Sequence, residues 1–233
     1  GSAAAAVERA IGGEHCFAMI RPPGHHAEHD RSMGYCLFNN VAVAVARAIA
    51  DASVDRVAII DWDLHHGNGT QDIFYRNRDV LFCSVHQTGS FPRTGWIDEI
   101  GFGSAKGYTI NAPLRAGATI ADYQLIFEKV FAPAIAKFKP DLVVVSAGQD
   151  PLSDDLRGNM KLNPRDFGLL TQSVLSMTEN PIALVLEGGY GPSHGKAIGH
   201  IFAALKGTHY SEDDTPARPS TYRLAEILSK IHL

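Results

Sequence analysis

Cysteine is scarce in this chain of 233 residues, with three in all, Cys16, Cys36 and Cys83. None is paired at the spacing that thiolate metal sites use. An odd set lying in or beside apolar runs points to reduced core thiols and so to a reducing compartment. Positive charge is not in excess either. Lys and Arg number 21 against 25 Asp and Glu, giving a formal net charge of -4 and a pI near 6.3. That balance argues against a surface built to grip nucleic acid. No apolar run approaches the length of a membrane span, and no N-terminal stretch joins a charged segment to an apolar one as a secretion signal does. The chain is therefore expected to be soluble and cytoplasmic, without direct nucleic-acid or membrane partners. Repeats, low-complexity tracts and linkers are missing too, so residues 1–233 are expected to form one domain.

What the chain does contain is 45% hydrophobic residues, much of it in short runs rich in Val and Ile. Such runs lie at Cys16 to Ile20, Val57 to Ile60, Val80 to Val85, Leu142 to Val145 and Ile182 to Leu186. Each is bounded by polar residues or Gly, as strands buried on both faces are. Tyr108 to Leu114 is a weaker strand candidate. Helical periodicity separates them at Ala3 to Ile11, Val41 to Ala52, Ile120 to Phe138, Pro164 to Thr178 and Lys196 to Leu205. Strands alternating with helices predict an α/β fold, a largely parallel sheet flanked by helices. The polar, Pro-bearing stretch Glu212 to Ser220 reads as a surface excursion before a last helix at Arg223 to Ile231.

Ligands of open parallel sheets bind beyond the carboxyl ends of the strands. Four of these strands are followed by chemistry-bearing residues: Arg21-Pro-Pro-Gly-His25-His26, Asp61-Trp-Asp63-Leu-His65-His66-Gly-Asn68, Ser146-Ala-Gly-Gln-Asp150 and Glu187-Gly-Gly-Tyr190. Asp63 and His65 are two apart, so in extended geometry they project to the same side and can grip one ion. Asp150 supplies a third ligand, and two carboxylates with one imidazole leave coordination positions open, as in a catalytic metal site. The plainer reading is that Asp61 and Asp63 cap the following turn while His65 and His66 bond to backbone. The tandem His25-His26 follows a Pro-Pro-Gly turn that stiffens the chain, and a general base fits there.

Together the stretches RPPGHHAEHDRSMGYCLFNN, DWDLHHGNGTQDIF, SAGQD and LEGGY resemble the histone deacetylase superfamily, including its class II-like and acetylpolyamine amidohydrolase branches. They lie in the family's order from Arg21 to Tyr190. The resemblance implies an arginase/deacetylase-type fold, a Zn2+ held by Asp63, His65 and Asp150, and hydrolysis of an acetyl amide on a lysine side chain or a polyamine. It implies that His26, oriented by Asn68, is the general base, that His25, paired with Asp61, tunes the site, and that the Tyr190 hydroxyl donates to the developing oxyanion.

Gly34, Tyr35, Phe91 and Gly189 match the walls of the family's narrow substrate tunnel. Asp61, Ser84 and Val85, with the backbone of Asp63 and His65, match a K+ or Na+ site. Phe74, Asn77, Val80 and Tyr108 match a second, weaker one. A homo-oligomer is compatible with all of this. The chain reaches its tandem histidines sooner than family members do, so it is expected to be short at its N-terminus, lacking some sheet edge, helices and tunnel rim. The rival expectation is a catalytically weak domain that binds an acyl-lysine or a metal without turning it over.

Overall fold

The computed structural model describes residues 1–211 and 215–232. Six strands form one sheet: β1 (Cys16–Ala18), β2 (Val57–Asp61), β3 (Val80–Gln87), β4 (Thr109–Leu114), β5 (Leu142–Ala147) and β6 (Ile182–Leu186). Their order across the sheet is β1-β6-β5-β2-β3-β4, and every pairing is parallel. β2, β3, β5 and β6 are buried along most or all of their length, which is why they read as continuous apolar runs rather than alternating ones. The weaker candidate over Tyr108 to Leu114 is the edge strand β4.

Helices cover both faces. α1 (Ser2–Ile11), α2 (Asn40–Ala50) and α3 (Asn68–Phe74) lie on one side, where Val7, Val41 and Val45 pack with Val57, Ile59 and Val144. On the other side lie α4 (Ile120–Ile126), α5 (Ala132–Phe138), α6 (Asp166–Leu175), α7 (His194–Leu205) and α8 (Pro219–His232). There Ile60, Val143 and Val145 meet Tyr123, Phe131, Phe167 and Ile201. Neighbouring residues of one strand thus feed two separate cores, as the pleat requires. The expected parallel sheet flanked by helices is what the chain forms.

The run Ile120 to Phe138 is not a uniform α-helix, because Phe127–Phe131 between α4 and α5 winds as a π-helix. Pro133 follows it; its ring displaces the carbonyl four residues back and it offers no N–H, so the ladder accommodates it with a wider turn. α3 is a helix that periodicity did not indicate. The excursion over Glu212 to Ser220 falls partly outside the described residues; of the rest, 215–218 are irregular and α8 begins at Pro219.

The chain runs from β2 outward through β3 to β4, then returns to β5 on the other side of β2. The strand order therefore reverses between β2 and β5. Connections leaving in opposite directions part there and open a crevice at the carboxyl ends, the position at which α/β sheets bind ligands.

Candidate metal centre and catalytic pocket

Beyond β2 the backbone is folded back by its own carboxylates. Asp61 Oδ1 accepts the Asp63 N–H at 3.1 Å and Asp63 Oδ1 accepts the His65 N–H at 2.9 Å. The capping half of the plainer reading therefore holds for Asp61 and Asp63, and it bends residues 63–65 out of the expected extended geometry. The histidine half does not hold, because the His65 ring meets carboxylates and the His66 ring meets Thr94 Oγ1 and Gln71 Oε1. The capped turn is stitched to its neighbours: Leu64 N–H donates to Asp150 Oδ1 at 2.9 Å, and Gly188 N–H to Asp63 Oδ2 at 2.7 Å. Carboxylates from β2 and β5 consequently converge on one imidazole. His65 Nδ1 lies 3.2 Å from Asp63 Oδ1 and 2.9 Å from Asp150 Oδ2.

Asp63, His65 and Asp150 each offer one ligand atom, all within 4.8 Å of one another. Among the described residues this is the one group of three His, Cys, Asp or Glu side chains so arranged. Asp150 Oδ2 is buried and takes no well-aligned hydrogen bond; its near neighbour is His65 Nδ1 at 2.9 Å, which balances it only while that nitrogen carries a proton. A divalent cation would satisfy it, and two carboxylate oxygens with one imidazole nitrogen are a donor set suited to zinc. The residues therefore fit a metal. The space is also kept by glycine: a Cβ on Gly188 would stand 2.5 Å from Asp150 Oδ2 and 2.6 Å from Asp63 Oδ2, and one on Gly148 would collide with the Asp63 carboxylate.

The group is electrostatically tense. Burial and the Asp63 charge push the Asp150 carboxyl up to about 6. Burial works against a charged His65, but the Asp150 and Asp63 carboxylates outweigh it and raise the imidazole to about 10. Two buried anions thus hold a cation between them, whether a proton on His65 or a metal.

The two tandem histidines differ in environment. His25 Nδ1 is 2.9 Å from Asp61 Oδ2, and its Nε2 is 3.7 Å from Asp63 Oδ1. Burial opposes its charge, but Asp63 and Asp61 prevail and hold it well above the ordinary histidine range. His26 Nδ1 lies 2.8 Å from Asn68 Oδ1. The Asn68 amide points its nitrogen at Glu28 Oε1, 2.6 Å away, which fixes Oδ1 as the acceptor and places the His26 proton on Nδ1. Nε2 is left with a lone pair. Burial first, and the neighbouring His25 charge second, push His26 down to about 2, so it stays neutral.

A cavity of about 400 Å³ joins these groups. Gly34, Tyr35, Phe91 and Tyr190 line it with His25, His26 and the metal-centre residues. Phe91 meets His26 edge-on, with ring centroids 5.0 Å apart. The bordering glycine is Gly188; its neighbour Gly189 turns at φ 107° and gives its carbonyl to Arg21. Of the residues expected at a monovalent cation, Asp61 and Ser84 are paired positions of β2 and β3, and Val85 follows. In the second such group Phe74 ends α3, Asn77 turns back on it, Val80 opens β3 and the Tyr108 carbonyl bonds Phe82 N–H. The structure places these last four along the α3–β3 turn and the start of β4, away from the cavity lining.

Several supporting residues escaped the reading of the sequence. Glu187, buried, accepts the N–H groups of Gly24 and His25 at 2.6 and 3.0 Å and so fixes the histidine loop. Burial raises its carboxyl to about 7. Arg21 holds the Glu187 and Gly189 carbonyls and lies 4.7 Å over the Tyr190 ring. Asp155 fixes the backbone of Tyr190 and Gly191 at 2.6 and 2.9 Å. Position at a strand end flagged Arg21 and Glu187 without giving either a role; nothing comparable marked Asp155.

The profile of the histone deacetylase domain matches residues 1–205. The chain belongs to the histone deacetylase family. Among relatives of this histone deacetylase-family chain, a probable deacetylase of Archaeoglobus fulgidus is 40% identical over 181 residues, covering 76% of this chain and 50% of that protein. A histone deacetylase-like amidohydrolase of Pseudomonas aeruginosa is 39% identical over 202 residues, covering 83% and 53% respectively. Histone deacetylase 6 of Caenorhabditis elegans is 42% identical over 190 residues, 78% of this chain and 20% of that one. The solved HDA15 HD domain superposes with a TM-score of 0.92 at 34% identity, covering 99% of this chain and 65% of that domain. The chain thus spans about half or less of the curated relatives named here.

Proposed function

We propose that this chain hydrolyses acetyl amides, those of acetylated lysine side chains or acetylated polyamines, to acetate and free amine with zinc held by Asp63, His65 and Asp150. The observation that carries the reading is the convergence of two buried carboxylates and one imidazole within 4.8 Å of one another, beside a neutral histidine whose Nε2 is open. When bound, the metal supplies Lewis acidity, lowering the pKa of a water and polarising the acetyl carbonyl. His26 Nε2 takes a proton from the water as its oxygen bonds to the acetyl carbon. The Tyr190 hydroxyl donates to the carbonyl oxygen as charge gathers there. A proton passed from the histidine pair to the amine nitrogen lets the carbon–nitrogen bond break. Gly34, Tyr35 and Phe91 sheathe the methylenes of the extended amine. A K+ or Na+ at Asp61, Ser84 and Val85 belongs to the same proposal, as a structural ion behind the histidines.

The test is acetate release from folded, zinc-loaded protein against acetyl-lysine peptides and acetylpolyamines. Tyr190→Phe is expected to lower kcat about a hundredfold, the scale of one lost oxyanion donor, while zinc content stays unchanged. Equal turnover in that variant removes Tyr190 from the chemistry. Binding of acylated ligands without any acetate release would instead favour an interaction domain.

A further inference from the structure

The floor and the mouth of the cavity differ in charge. Asp63 and Asp150 are buried at the floor, whereas four lining residues are exposed: Tyr35, Phe91, Arg157 and Tyr190. Arg157 is the charged one. Its guanidinium lies 5.5 Å from the Tyr35 ring centroid and 5.8 Å from that of Tyr190, within reach of both aromatic faces. Its backbone is tied to the site, because Asp155 Oδ1 accepts the Arg157 N–H at 2.8 Å while Asp155 Oδ2 accepts the Tyr190 N–H at 2.6 Å. One carboxylate thus fixes the loop that carries the guanidinium to the tyrosine of the site.

The acids of that loop are turned to backbone: Asp155 as above, and Asp154 through Oδ2, which accepts the Ser193 N–H at 3.1 Å, its Oδ1 taking no hydrogen bond. Among the described residues no carboxylate forms an ion pair with the Arg157 guanidinium. A positive charge therefore stands at the entrance, held by two rings and open to solvent.

Resting on the acetyl-amide reading above, we propose that Arg157 sets the charge class of the substrate. The site takes N-acyl amines whose carrier presents a carboxylate beside the acyl-bearing chain, and it turns away polycationic carriers such as acetylated polyamines. With the acetamide at the floor, the remaining ammonium groups of a polyamine come to lie at the mouth, against a like charge. Two of the three exposed rings that would attract an ammonium there already carry a cation, Tyr35 that of Arg157, and Tyr190 those of Arg157 and of Arg21 at 4.7 Å, which leaves Phe91 alone. A carboxylate meets the opposite situation, a guanidinium with donors to spare and no ion-paired acid among the described residues. That carboxylate can come from an acidic residue next to acetyl-lysine in a polypeptide, or from the α-carboxylate of free acetyl-lysine.

The experiment measures kcat and KM of zinc-loaded protein on equal-length acetyl-lysine peptides flanked by Glu, Gln or Lys, on free Nε-acetyl-lysine and on N8-acetylspermidine. The Glu-flanked peptide is expected to exceed the Lys-flanked one by roughly tenfold in kcat/KM, chiefly through KM, with the gap shrinking as salt rises from about 0.05 to 0.5 M. Free acetyl-lysine turned over as well as the Glu-flanked peptide identifies the α-carboxylate as sufficient; poor turnover assigns the role to flanking residues. Arg157→Gln should flatten the ranking, and Arg157→Glu should reverse it and raise N8-acetylspermidine about tenfold. Identical rankings in wild type and Arg157→Glu overturn the proposal, as does N8-acetylspermidine being the best wild-type substrate. Folded, zinc-loaded protein that releases acetate from none of these substrates overturns the hydrolase reading and this proposal with it. Turnover without charge ranking strikes Arg157 alone.

Discussion

At the scale of the residue, the metal centre rests on side chains that each serve two partners. Asp63 caps the turn through Oδ1 and takes the Gly188 N–H through Oδ2, so its carboxylate is aimed before any ion arrives. Preorganisation of this kind requires the opposing backbone to come very close, and only glycine allows it. Gly188→Ala would drive a methyl group to within 2.6 Å of both ligand carboxylates, at a position where neither can retreat without losing a hydrogen bond. Zinc affinity is expected to fall about tenfold or more, with the far-ultraviolet circular dichroism unchanged. Competition with a chromophoric chelator measures it, and wild-type affinity in the variant would show that the carboxylates are not held where the structure puts them. Asp63, His65, Asp150 and the tandem histidines were legible because chemistry-bearing residue types cluster at strand ends. Asp155, Arg157 and the role of Arg21 were not, because these side chains act on backbone atoms and rings supplied by distant segments, and no local pattern announces that.

At the scale of the element, legibility follows burial. Strands buried on both faces announce themselves as Val and Ile runs, whereas α3, with the sequence Asn-Gly-Thr-Gln-Asp-Ile-Phe, has no apolar stripe. Its Gly69 lies so near the Ala27 carbonyl that a Cβ would overlap it, so a tertiary contact and not helix propensity selected the residue. α4 and α8 are joined by a comparable device. Asp122 of α4, buried, accepts the Thr119 N–H at 3.0 Å, the Arg218 N–H and Nε at 3.0 and 3.1 Å and the Thr221 hydroxyl at 2.5 Å. Burial alone would raise its carboxyl, but the Thr221 hydroxyl, the two backbone N–H groups and the Arg218 charge together hold it below the usual carboxylate range. A folded carboxyl that titrates below the unfolded value, about 3.9, contributes stability that is whole above that pH and is lost as the pH falls through the folded value. Asp122→Asn turns an amide donor toward this set of donors and is expected to cost about 2 kcal/mol at pH 7. Because Asn does not titrate, the difference in urea midpoint between variant and wild type should narrow below about pH 4. A difference that stays constant across that range would mean the Asp122 carboxylate is not what anchors α8.

At the scale of the whole molecule, the candidate metal site is placed by topology. The reversal of strand order between β2 and β5 opens the crevice, and the ligands come from the two strands that border it, Asp63 and His65 after β2 and Asp150 after β5. Strands on either side of the reversal are reached by different parts of the chain, so a bound ion would add to the β2–β5 ladder a clamp between two strands that no loop connects. Without the ion the same junction holds buried carboxylates that repel each other. Binding to the folded state alone should therefore stabilise the protein as a unit: at free zinc a hundredfold above its dissociation constant the gain is about 2.7 kcal/mol. For a domain of this size that is roughly 5–10 °C in Tm. Differential scanning calorimetry with and without chelator reads it directly and needs no substrate. Asp150→Asn, which removes one ligand charge and relieves the repulsion, should melt at the same temperature with and without zinc. A wild-type Tm indifferent to zinc would mean that Asp63, His65 and Asp150 meet without holding an ion, and the hydrolytic reading of the crevice would fall with it.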